Sequence, residues 1–335
     1  MNKSCPPVSV IVPFFRQGAL ASRAIDQLQA IDYPNVDFIL VDDGSDDDTA
    51  ARLTAHTSMD DRFRTILLPQ NLGPGGARNA GIAASRGEYI WFADSDDSWE
   101  PAILRTLVQA AQREEAEIVF ARGVWTTAAG ARGPFTDGLD SRMTLSPSDA
   151  LDAILVDHVR GYLWNKLFHR SVLDHSIFPD QRTREDLCGL LTALQRSKTV
   201  AAIPDAVYYH LRRENSVSRS RDVSMADSLA ARLRVHELVA ALPRTSRRDR
   251  LLDFYDFRSW ILDDIRLAAR IGDETTLRQT IRRARRSLNV RTLLNLARTS
   301  PRVAREALLI SVLGRPYVAA RTRLNTRHHS RSRSL

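Results

Sequence analysis

Short apolar runs alternate with amphipathic segments along the first part of the chain. The segments between the runs carry apolar residues at a helical spacing, as in PAILRTLVQAAQREE. The runs are nearly continuous, which is expected for strands that are buried on both faces of a parallel sheet. Together they predict an open α/β domain over residues 1–220. Its expected strands are VSVIVPFF, VDFILVDD, FRTILLP, EYIWFAD and AEIVFARG.

The pattern changes beyond residue 220, where consecutive amphipathic segments replace the strand-like runs. SMADSLAARLRVHELVAAL and DETTLRQTIRRARRSL repeat leucine and isoleucine at intervals of about 3.6 residues, which is typical of helices with one buried face. The last helical stretch is interrupted by Pro301 and Pro316. We therefore predict an all-helical region over residues 221–325 and a disordered basic tail over residues 326–335.

Composition places the chain among globular proteins. Its 335 residues are 43% hydrophobic, which is enough for one large or two modest domains with a buried core. Cys5 and Cys188 are its two cysteines, too few for the disulfide framework of a small secreted scaffold. The sequence has no signal-peptide pattern and no run of about 18 apolar residues. We expect a cytoplasmic protein without a membrane-spanning helix.

Charge is divided unevenly along the chain, although the net charge is only +8. Residues 1–220 contain 23 basic and 29 acidic side chains, whereas residues 221–335 contain 25 and 11. Residues 281–335 hold 14 arginines and a single acidic residue, and the arginines are interleaved with Leu, Val and Ile. This mixture predicts helices that lie on an anionic membrane surface. Nucleic acid is the other polyanion that such charge attracts, but no recognition module is visible, so we expect no specific nucleic-acid binding.

Polar residues collect where the expected strands end. Asp42 and Asp43 follow the second strand, Asn71 follows the third, and the sequence FADSDDSW places three aspartates within four residues after the fourth. Ligands of open α/β sheets bind at the carboxyl ends of the strands. Crowded carboxylates repel one another and raise their own pKa values unless a cation or a set of donors lies between them. The pattern therefore predicts a ligand site at this edge of the sheet.

The stretch NLGPGGARNAGIAAS follows the third strand and opens a helix. Gly73, Gly75 and Gly76 permit close approach of the backbone, and Arg78 falls in the first turn of a helix whose N-terminal amides attract anions. A glycine turn that carries a surface arginine explains the same stretch equally well.

Several motifs occur in a characteristic order and spacing. The chain carries ILVDDGSDDDT, NLGPGGARNAGIAASRGEYIWFADSDDSW, WNKLFHRSVL, REDLCGLLTAL and YYHLRRENSVS. In these it closely resembles the family 2 glycosyltransferases of bacterial cell-surface polysaccharide synthesis. The resemblance covers residues 7–220 and is most specific in the first hundred. It implies a GT-A fold, a Rossmann-like nucleotide-diphospho-sugar transferase domain.

The resemblance also implies a metal site and a set of substrate contacts. In this family the DSDD segment contacts the ribose and a divalent ion, which implies that Asp94 and Asp96 bind Mg²⁺ or Mn²⁺ with Asp97 in support. Such an ion neutralises the departing diphosphate. Packing of Trp164 in the core is the alternative to its contact with a sugar. The implied substrate and nucleotide contacts are Pro13, Phe15, Asp42, Asp43, Asn71, Arg78, Asp94, Trp164, Lys166, Glu185, Arg213 and Ser216.

An inverting transfer needs a base that takes a proton from the attacking hydroxyl, and a positioned carboxylate can do this. In the family the base is the aspartate of an E-D pair that opens a helix, and TREDLCGLLTALQ supplies Glu185 and Asp186 at that place. The resemblance thus implies that Asp186 is the catalytic base. The alternative is that the pair only stabilises the start of the helix.

The expected function is a metal-dependent, inverting glycosyltransferase of hexosyltransferase type. By resemblance, the donor is a UDP-sugar and the acceptor is a hydroxyl of a cell-surface glycan or lipid-linked molecule. Two alternatives remain at this stage. A phosphotransferase of the haloacid dehalogenase kind also places a D-x-D motif after a buried strand, and a non-catalytic module would keep the sugar-nucleotide pocket alone.

Overall fold

The structure is a computed structural model that describes residues 5–126, 132–211 and 225–320. Contacts divide the chain into two compact units, Met1–Ile154 with His158–Arg234, and Leu155–Asp157 with Val235–Leu335. The division falls inside a helix, some residues beyond the predicted boundary at residue 220, which itself lies outside the described residues. The predicted tail at residues 326–335 also lies outside them.

The first unit is built on a mixed sheet flanked by helices. Its strands are β1 (Val8–Phe14), β2 (Val36–Asp42), β3 (Phe63–Leu67), β4 (Tyr89–Phe92), β5 (Ser98–Trp99), β6 (Ile118–Thr126), β7 (Arg132–Asp137), β8 (Met143–Leu145), β9 (Lys166–His169) and β10 (Val200–Leu211). Its helices are α1 (Leu20–Gln29), α2 (Thr49–Thr57), α3 (Gly73–Ala84), α4 (Ile103–Glu114), α5 (Pro147–Leu155) and α6 (Glu185–Arg196). The five strands expected from the sequence are confirmed as β1, β2, β3, β4 and β6.

The strand order is β3-β2-β1-β4-β9-β6-β10-β5, with β7 beside β6 and β8 beside β10. β1 runs parallel to both β2 and β4, and β3 runs parallel to β2. The short β9 lies between β4 and β6 and is antiparallel to both. The carboxyl ends of the first four strands therefore meet at one edge of the sheet, as the α/β pattern predicts.

Alternation along β1 sends successive side chains to opposite faces of the sheet. Val8, Val10 and Val12 are buried in a core that also contains residues of α1 and α4. On the other face α3 packs against β1. A Cβ atom at Gly81 would lie 2.4 Å from Cγ2 of Ile11, so α3 lies this close because position 81 has no side chain.

The second unit is helical, which confirms the fold class expected for this part of the chain. Its helices are α7 (Met225–Ala240, which begins in the first unit), α8 (Ser246–Tyr255), α9 (Leu262–Ile271), α10 (Glu274–Ser287), α11 (Val290–Thr299) and α12 (Pro301–Leu313). Asp273, Asn289 and Ser300 accept hydrogen bonds from backbone amides at the starts of α10, α11 and α12. Within the part of the chain that is described, no helix has both the length and the apolar character needed to cross a bilayer.

Candidate active site

The end of β2 forms one wall of the candidate site. Asp42 is buried, and its Oδ2 accepts a hydrogen bond from the Ser45 amide at 3.1 Å. Its Oδ1 is also buried and has no hydrogen-bond partner among the described residues. A buried carboxylate oxygen without a donor is costly, so this atom is suited to accept from a ligand. At the end of β1, Pro13 is half-buried and Phe15 is exposed.

Asp43 joins the end of β2 to the start of α3. Its Oδ1 accepts a hydrogen bond from the Leu72 amide at 2.7 Å, and burial raises its pKa against the lowering effect of that bond. Gly44 follows with φ of +68°, where a Cβ atom would lie 2.7 Å from the Asn71 nitrogen. The Asn71 side chain is exposed and accepts from the Gly73 amide at 3.2 Å. The polar residues after β2 and β3 are therefore brought together.

Arg78 is buried inside the site rather than exposed on a surface turn. Its guanidinium donates to Oε1 of Glu185 at 3.0 Å and to Oδ1 of Asp94 at 3.2 Å. Burial alone would lower the Arg78 pKa, but the negative charges of Asp94, Glu185 and Asp186 outweigh it and raise the pKa. One arginine thus links the loop after β4 to the start of α6, although Arg78 and Glu185 are 107 positions apart.

The start of α6 carries the Glu185–Asp186 pair. Arg184 precedes it in the left-handed conformation with φ of 65°, an uncommon state for a residue with a Cβ atom. Gly75 makes room for the pair, because a Cβ atom there would lie 3.1 Å from Cγ of Glu185. Glu185 points to Arg78, and no side chain caps this helix. Glu185 therefore bonds to Arg78, while Asp186 accepts the Leu187 amide in the first turn of α6.

Burial raises the pKa of both acids in this pair. For Glu185 the pKa rises to about 7, because burial and the neighbouring Asp186 together outweigh the Arg78 charge. For Asp186 burial also raises the pKa, opposed by Arg78 and by a hydrogen bond from the Leu187 amide at 2.7 Å. As a residue, Asp186 is partly exposed. A partly exposed carboxylate with a raised pKa is suited to accept a proton.

The charges around Arg78 do not balance. The Arg78 guanidinium faces the carboxyl groups of Asp94, Glu185 and Asp186. Arg184 adds a second positive charge near Asp186, which still leaves an excess of negative charge that a cation or a shared proton would relieve. Asp96 follows Asp94 by two residues on the loop after β4 and is partly exposed. Among the described residues no three His, Cys, Asp or Glu side chains are grouped as a preformed metal site. The residues fit a weakly held ion that takes further ligands from a substrate.

Asp97 differs from the expectation that it supports a metal ion. Its side chain is fully buried, and Oδ2 accepts from the Tyr208 hydroxyl at 2.8 Å and interacts with Nδ1 of His210 at 2.9 Å. Its Oδ1 accepts from the Leu211 amide at 2.8 Å. Burial raises the pKa of Asp97 to about 6 against the lowering effect of His210. Asp97 therefore anchors the end of β10 to the loop after β4.

Trp164 follows its alternative interpretation as a core residue. It is buried and stacks on Tyr208 with ring centroids 4.6 Å apart, and on His210 at 5.6 Å. The Tyr208 hydroxyl accepts from the Asp94 amide at 3.1 Å as well as donating to Asp97. Through Tyr208, this aromatic stack holds the loop after β4 that carries Asp94 and Asp97. The sequence interpretation did not find Tyr208, whose only signal is the aromatic pair at the end of an apolar run.

Lys166 also differs from its expected role as a substrate contact. Its side chain is fully buried, and Nζ donates to Oδ2 of Asp137 at 3.0 Å and to Oδ1 of Asn165 at 2.9 Å. Burial lowers the pKa of Lys166, while Asp137 favours the charged form. Lys166 begins β9, which lies between β4 and β6 in the sheet, and its amine lies over the Phe120 ring in the interior of the first unit.

Replacement of Asp137 by alanine is expected to lower the free energy of unfolding by about 3–5 kcal/mol, because it leaves the Lys166 ammonium buried without its partner. Denaturant unfolding of the purified protein measures this change. Asp140→Ala is the matched control, since Asp140 is 90% exposed and pairs with Arg122 at 3.0 Å, and we expect it to cost less than about 1 kcal/mol. Equal small losses for both variants would contradict a buried, charged Lys166.

Arg213 and Ser216, both expected substrate contacts, lie outside the described residues.

Comparison with known proteins identifies the family of this chain. The family model described as glycosyl transferase family 2 matches residues 9–172. The succinoglycan biosynthesis protein ExoO of Rhizobium meliloti is 31% identical over 272 residues, which are 77% of this chain and 76% of ExoO. The chain belongs to glycosyl transferase family 2. The family match includes Asp42, Asp43, Arg78 and Asp94 but ends before the Glu185–Asp186 pair.

Another relative in this family matches over a shorter stretch. It is the GalNAc(5)-diNAcBac-PP-undecaprenol beta-1,3-glucosyltransferase of Campylobacter jejuni, 36% identical over 115 residues, which are 34% of this chain and 37% of that protein. Family membership makes the chain a glycosyltransferase and thereby removes the two alternatives, the haloacid dehalogenase-like phosphotransferase and the non-catalytic module.

Solved structures of similar fold support the GT-A assignment. Residues 1–349 of S. aureus TarS in complex with UDP-GlcNAc superpose with a TM-score of 0.69 at 21% identity, covering 92% of each chain. The mannosyltransferase PcManGT of Pyrobaculum calidifontis in complex with GDP-Man and Mn²⁺ superposes with a TM-score of 0.54 at 14% identity, covering 95% of this chain and 84% of that one. At these identities the likeness concerns the fold alone.

Proposed function

We propose that this family 2 glycosyltransferase moves a hexose from a nucleoside diphosphate sugar, with UDP as the expected nucleotide, to a hydroxyl of a cell-surface glycan or a lipid-linked acceptor. The transfer inverts the anomeric centre. The observation that carries the proposal is the Arg78 bridge, which brings the loop after β4 within reach of the Glu185–Asp186 pair. Donor-binding and proton-accepting groups thus share one site.

The donor would bind along the edge formed by the ends of β1, β2 and β4. The unpaired Oδ1 of Asp42 needs a hydrogen-bond donor, which a ribose hydroxyl or a base edge supplies. Asp94 and Arg78 lie further along the same edge, where the sugar diphosphate follows the nucleoside. The exposed Phe15 and Asn71 flank this path, so both remain proposed contacts of the nucleotide.

Asp186 would act as the base of the transfer. The acceptor oxygen attacks the anomeric carbon on the face opposite the diphosphate, and its proton passes to the Asp186 carboxylate. The bond between the anomeric carbon and the diphosphate oxygen breaks, and its electron pair leaves with the diphosphate. Arg78 and the Leu187 amide hold the pair in place while the raised pKa of Asp186 favours proton uptake.

A divalent ion, Mg²⁺ or Mn²⁺, would be held by Asp96 and Asp94 together with the donor phosphates. When bound, it would neutralise the charge of the departing diphosphate. The excess of carboxylates around Arg78 supports such an ion. The absence of a preformed three-ligand group among the described residues predicts that the ion binds tightly only with the donor.

We further propose that the enzyme acts at the inner face of the cell membrane, because its acceptor is attached there. A lipid-linked acceptor is confined to a bilayer, and one relative of this chain is named for an undecaprenol-linked substrate. An enzyme that is held beside the bilayer meets such an acceptor at a raised local concentration.

A panel of nucleoside diphosphate sugars tests the proposed donor class. We expect one UDP-sugar to raise the melting temperature only when Mn²⁺ or Mg²⁺ is present, because a ligand that binds the native state alone stabilises it by mass action. The same donor should release UDP on incubation with the enzyme. The free nucleotide and the free sugar are the controls. Stabilisation by every donor without metal, and no release of nucleoside diphosphate, would contradict the proposal.

A further inference from the structure

The second unit exposes both arginine and aliphatic side chains at the surface of three helices, α10, α11 and α12. We propose that this surface, on α10, α11 and α12, docks the enzyme onto an anionic lipid bilayer by inserting its aliphatic side chains between the headgroups. We call it the docking surface. Its aliphatic members are Val290, Leu294, Leu308, Val312 and Leu313. Its basic members are Arg282, Arg286, Arg298, Arg302 and Arg305.

The exposed face of α11 carries aliphatic side chains, where the exposed face of a helix usually carries polar ones. Val290 is 77% exposed and Leu294 is 50% exposed, and they lie four residues apart on one side of the helix. Arg298 continues the same stripe one turn further on. The opposite face, with Leu296, is buried in the core of the unit. Packing of α11 therefore does not account for its outer aliphatic residues.

α12 repeats the arrangement and packs against both α11 and α10. Arg302, Arg305, Leu308 and Val312 follow one another at intervals of three or four residues and are all exposed, with Val312 at 67%. Nε of Arg285 donates to the Ser311 carbonyl at 2.7 Å. This contact holds the basic end of α10 against the aliphatic end of α12, so charge and apolar area occur side by side.

Six of the arginines on these helices have no ion pair within residues 225–320, whereas several of their neighbours do. One of the six, Arg285, donates to backbone carbonyls of α12 instead. Arg283 faces Asp264 at 3.6 Å, and Arg291 pairs with Asp249 at 2.9 Å. Arg315 pairs with Glu274. The docking surface therefore presents positive charge that the described structure does not neutralise, which complements the negative headgroups of an anionic leaflet. Its unpaired members are Arg282, Arg286, Arg298, Arg302 and Arg305.

The aliphatic residues favour a bilayer over a nucleic acid. A phosphate backbone binds arginine but offers nothing to a valine or leucine that projects between the arginines. A bilayer accepts both, because apolar side chains enter the headgroup boundary while basic side chains stay among the anionic headgroups. Two copies of this chain would set like charges against each other at the docking surface. Charge complementarity thus selects the lipid surface.

Sedimentation with lipid vesicles tests the docking surface in the full chain. We expect binding to vesicles that contain about 30 mol% phosphatidylglycerol and release by added salt, with little binding to neutral phosphatidylcholine vesicles. The variant Leu294→Ser/Leu308→Ser/Val312→Ser should bind about tenfold more weakly, because its side chains no longer enter the bilayer. The variant Arg298→Gln/Arg302→Gln/Arg305→Gln should also bind the vesicles about tenfold more weakly. Its binding should depend less on salt concentration, because it carries fewer charges.

Matched controls separate the docking surface from general effects. Met59→Ser removes a side chain that is 75% exposed in the first unit, and Arg23→Gln/Arg86→Gln removes exposed charge there. Both controls should bind vesicles like the unchanged protein. Release of UDP from the donor should be the same in all variants, so failure of docking is distinguished from failure of the proposed transfer. Melting temperatures check that the variants are folded.

Three outcomes would overturn the inference. Vesicle binding that is unchanged in both triple variants would show that the docking surface does not contact lipid. Stronger retention on duplex DNA than on anionic vesicles, lost in the arginine variant but kept in the aliphatic variant, would assign the surface to nucleic acid. A dimer that becomes monomeric in the aliphatic variant, with unchanged vesicle binding, would assign it to a second copy of the chain.

Discussion

Replacement of Asp96 by alanine is expected to slow sugar transfer by about a hundredfold or more, which is about 2.7 kcal/mol of transition-state stabilisation. Asp96 lies on the loop after β4, two residues beyond Asp94, which faces Arg78. A weakly held ion with few protein ligands cannot lose one of them without loss of function. The measurement is the initial rate over a series of Mn²⁺ concentrations, together with donor affinity with and without the metal.

Asp61→Ala is the control for this variant, because Asp61 is an exposed acid before β3 at the start of the same sheet. It should keep both the rate and the metal dependence of the unchanged protein. If Asp96→Ala turns over near normally and responds to Mn²⁺ as before, the metal assignment is wrong and the excess charge around Arg78 must be relieved by a proton.

Asp186→Asn should separate chemistry from binding. The amide keeps the size of the side chain but cannot take up a proton, so we expect transfer to slow by about a hundredfold or more. Donor affinity and the melting temperature should change little, since Arg78 bonds to Glu185 and Asp94 rather than to Asp186. Steady-state kinetics should therefore show a lower kcat with a nearly unchanged KM for the donor.

Asp174→Asn is a matched control for Asp186→Asn. Asp174 pairs with Arg196 at the far end of α6, so the substitution alters a carboxylate near the same helix without touching the site. Its kcat should stay within about threefold of the unchanged protein. A collapse of donor affinity in Asp186→Asn, with kcat unchanged, would make Asp186 a binding residue and move the base elsewhere.

The first unit shows which parts of the fold a local pattern can predict. β1, β2 and β4 are apolar runs buried on both faces, and their composition distinguishes them from the amphipathic helices between them. The edge strand β3 is only partly buried, and β6 is buried along most of its length. β9 was missed as a strand, because its four residues KLFH carry no period of their own. Its place between β4 and β6 depends on hydrogen bonds to two strands that are distant in the sequence.

The site shows the same division. The sequence predicted that Asp42, Asp43 and Asp94 meet at one edge, because parallel strands bring their carboxyl ends together. It could not predict that the side chains of Lys166 and Asp97 point into the interior. The sequence around each residue is the same whether its side chain contacts a substrate or a buried partner. In the folded structure both side chains are buried with partners. Lys166 pairs with Asp137, and Asp97 contacts Tyr208 and His210.

By itself, the sequence determined the α/β and helical parts of this protein, the resemblance to its family and the uneven distribution of charge. These are properties of residue type and local spacing, which persist whatever the chain folds against. Only the tertiary structure decided that Arg78 spans 107 positions to join Asp94 and Glu185, and which arginines of α10 to α12 lack an acidic partner among the described residues. Such contacts depend on distances in space between residues far apart in the chain, and no local pattern of hydrophobic and polar positions contains those distances.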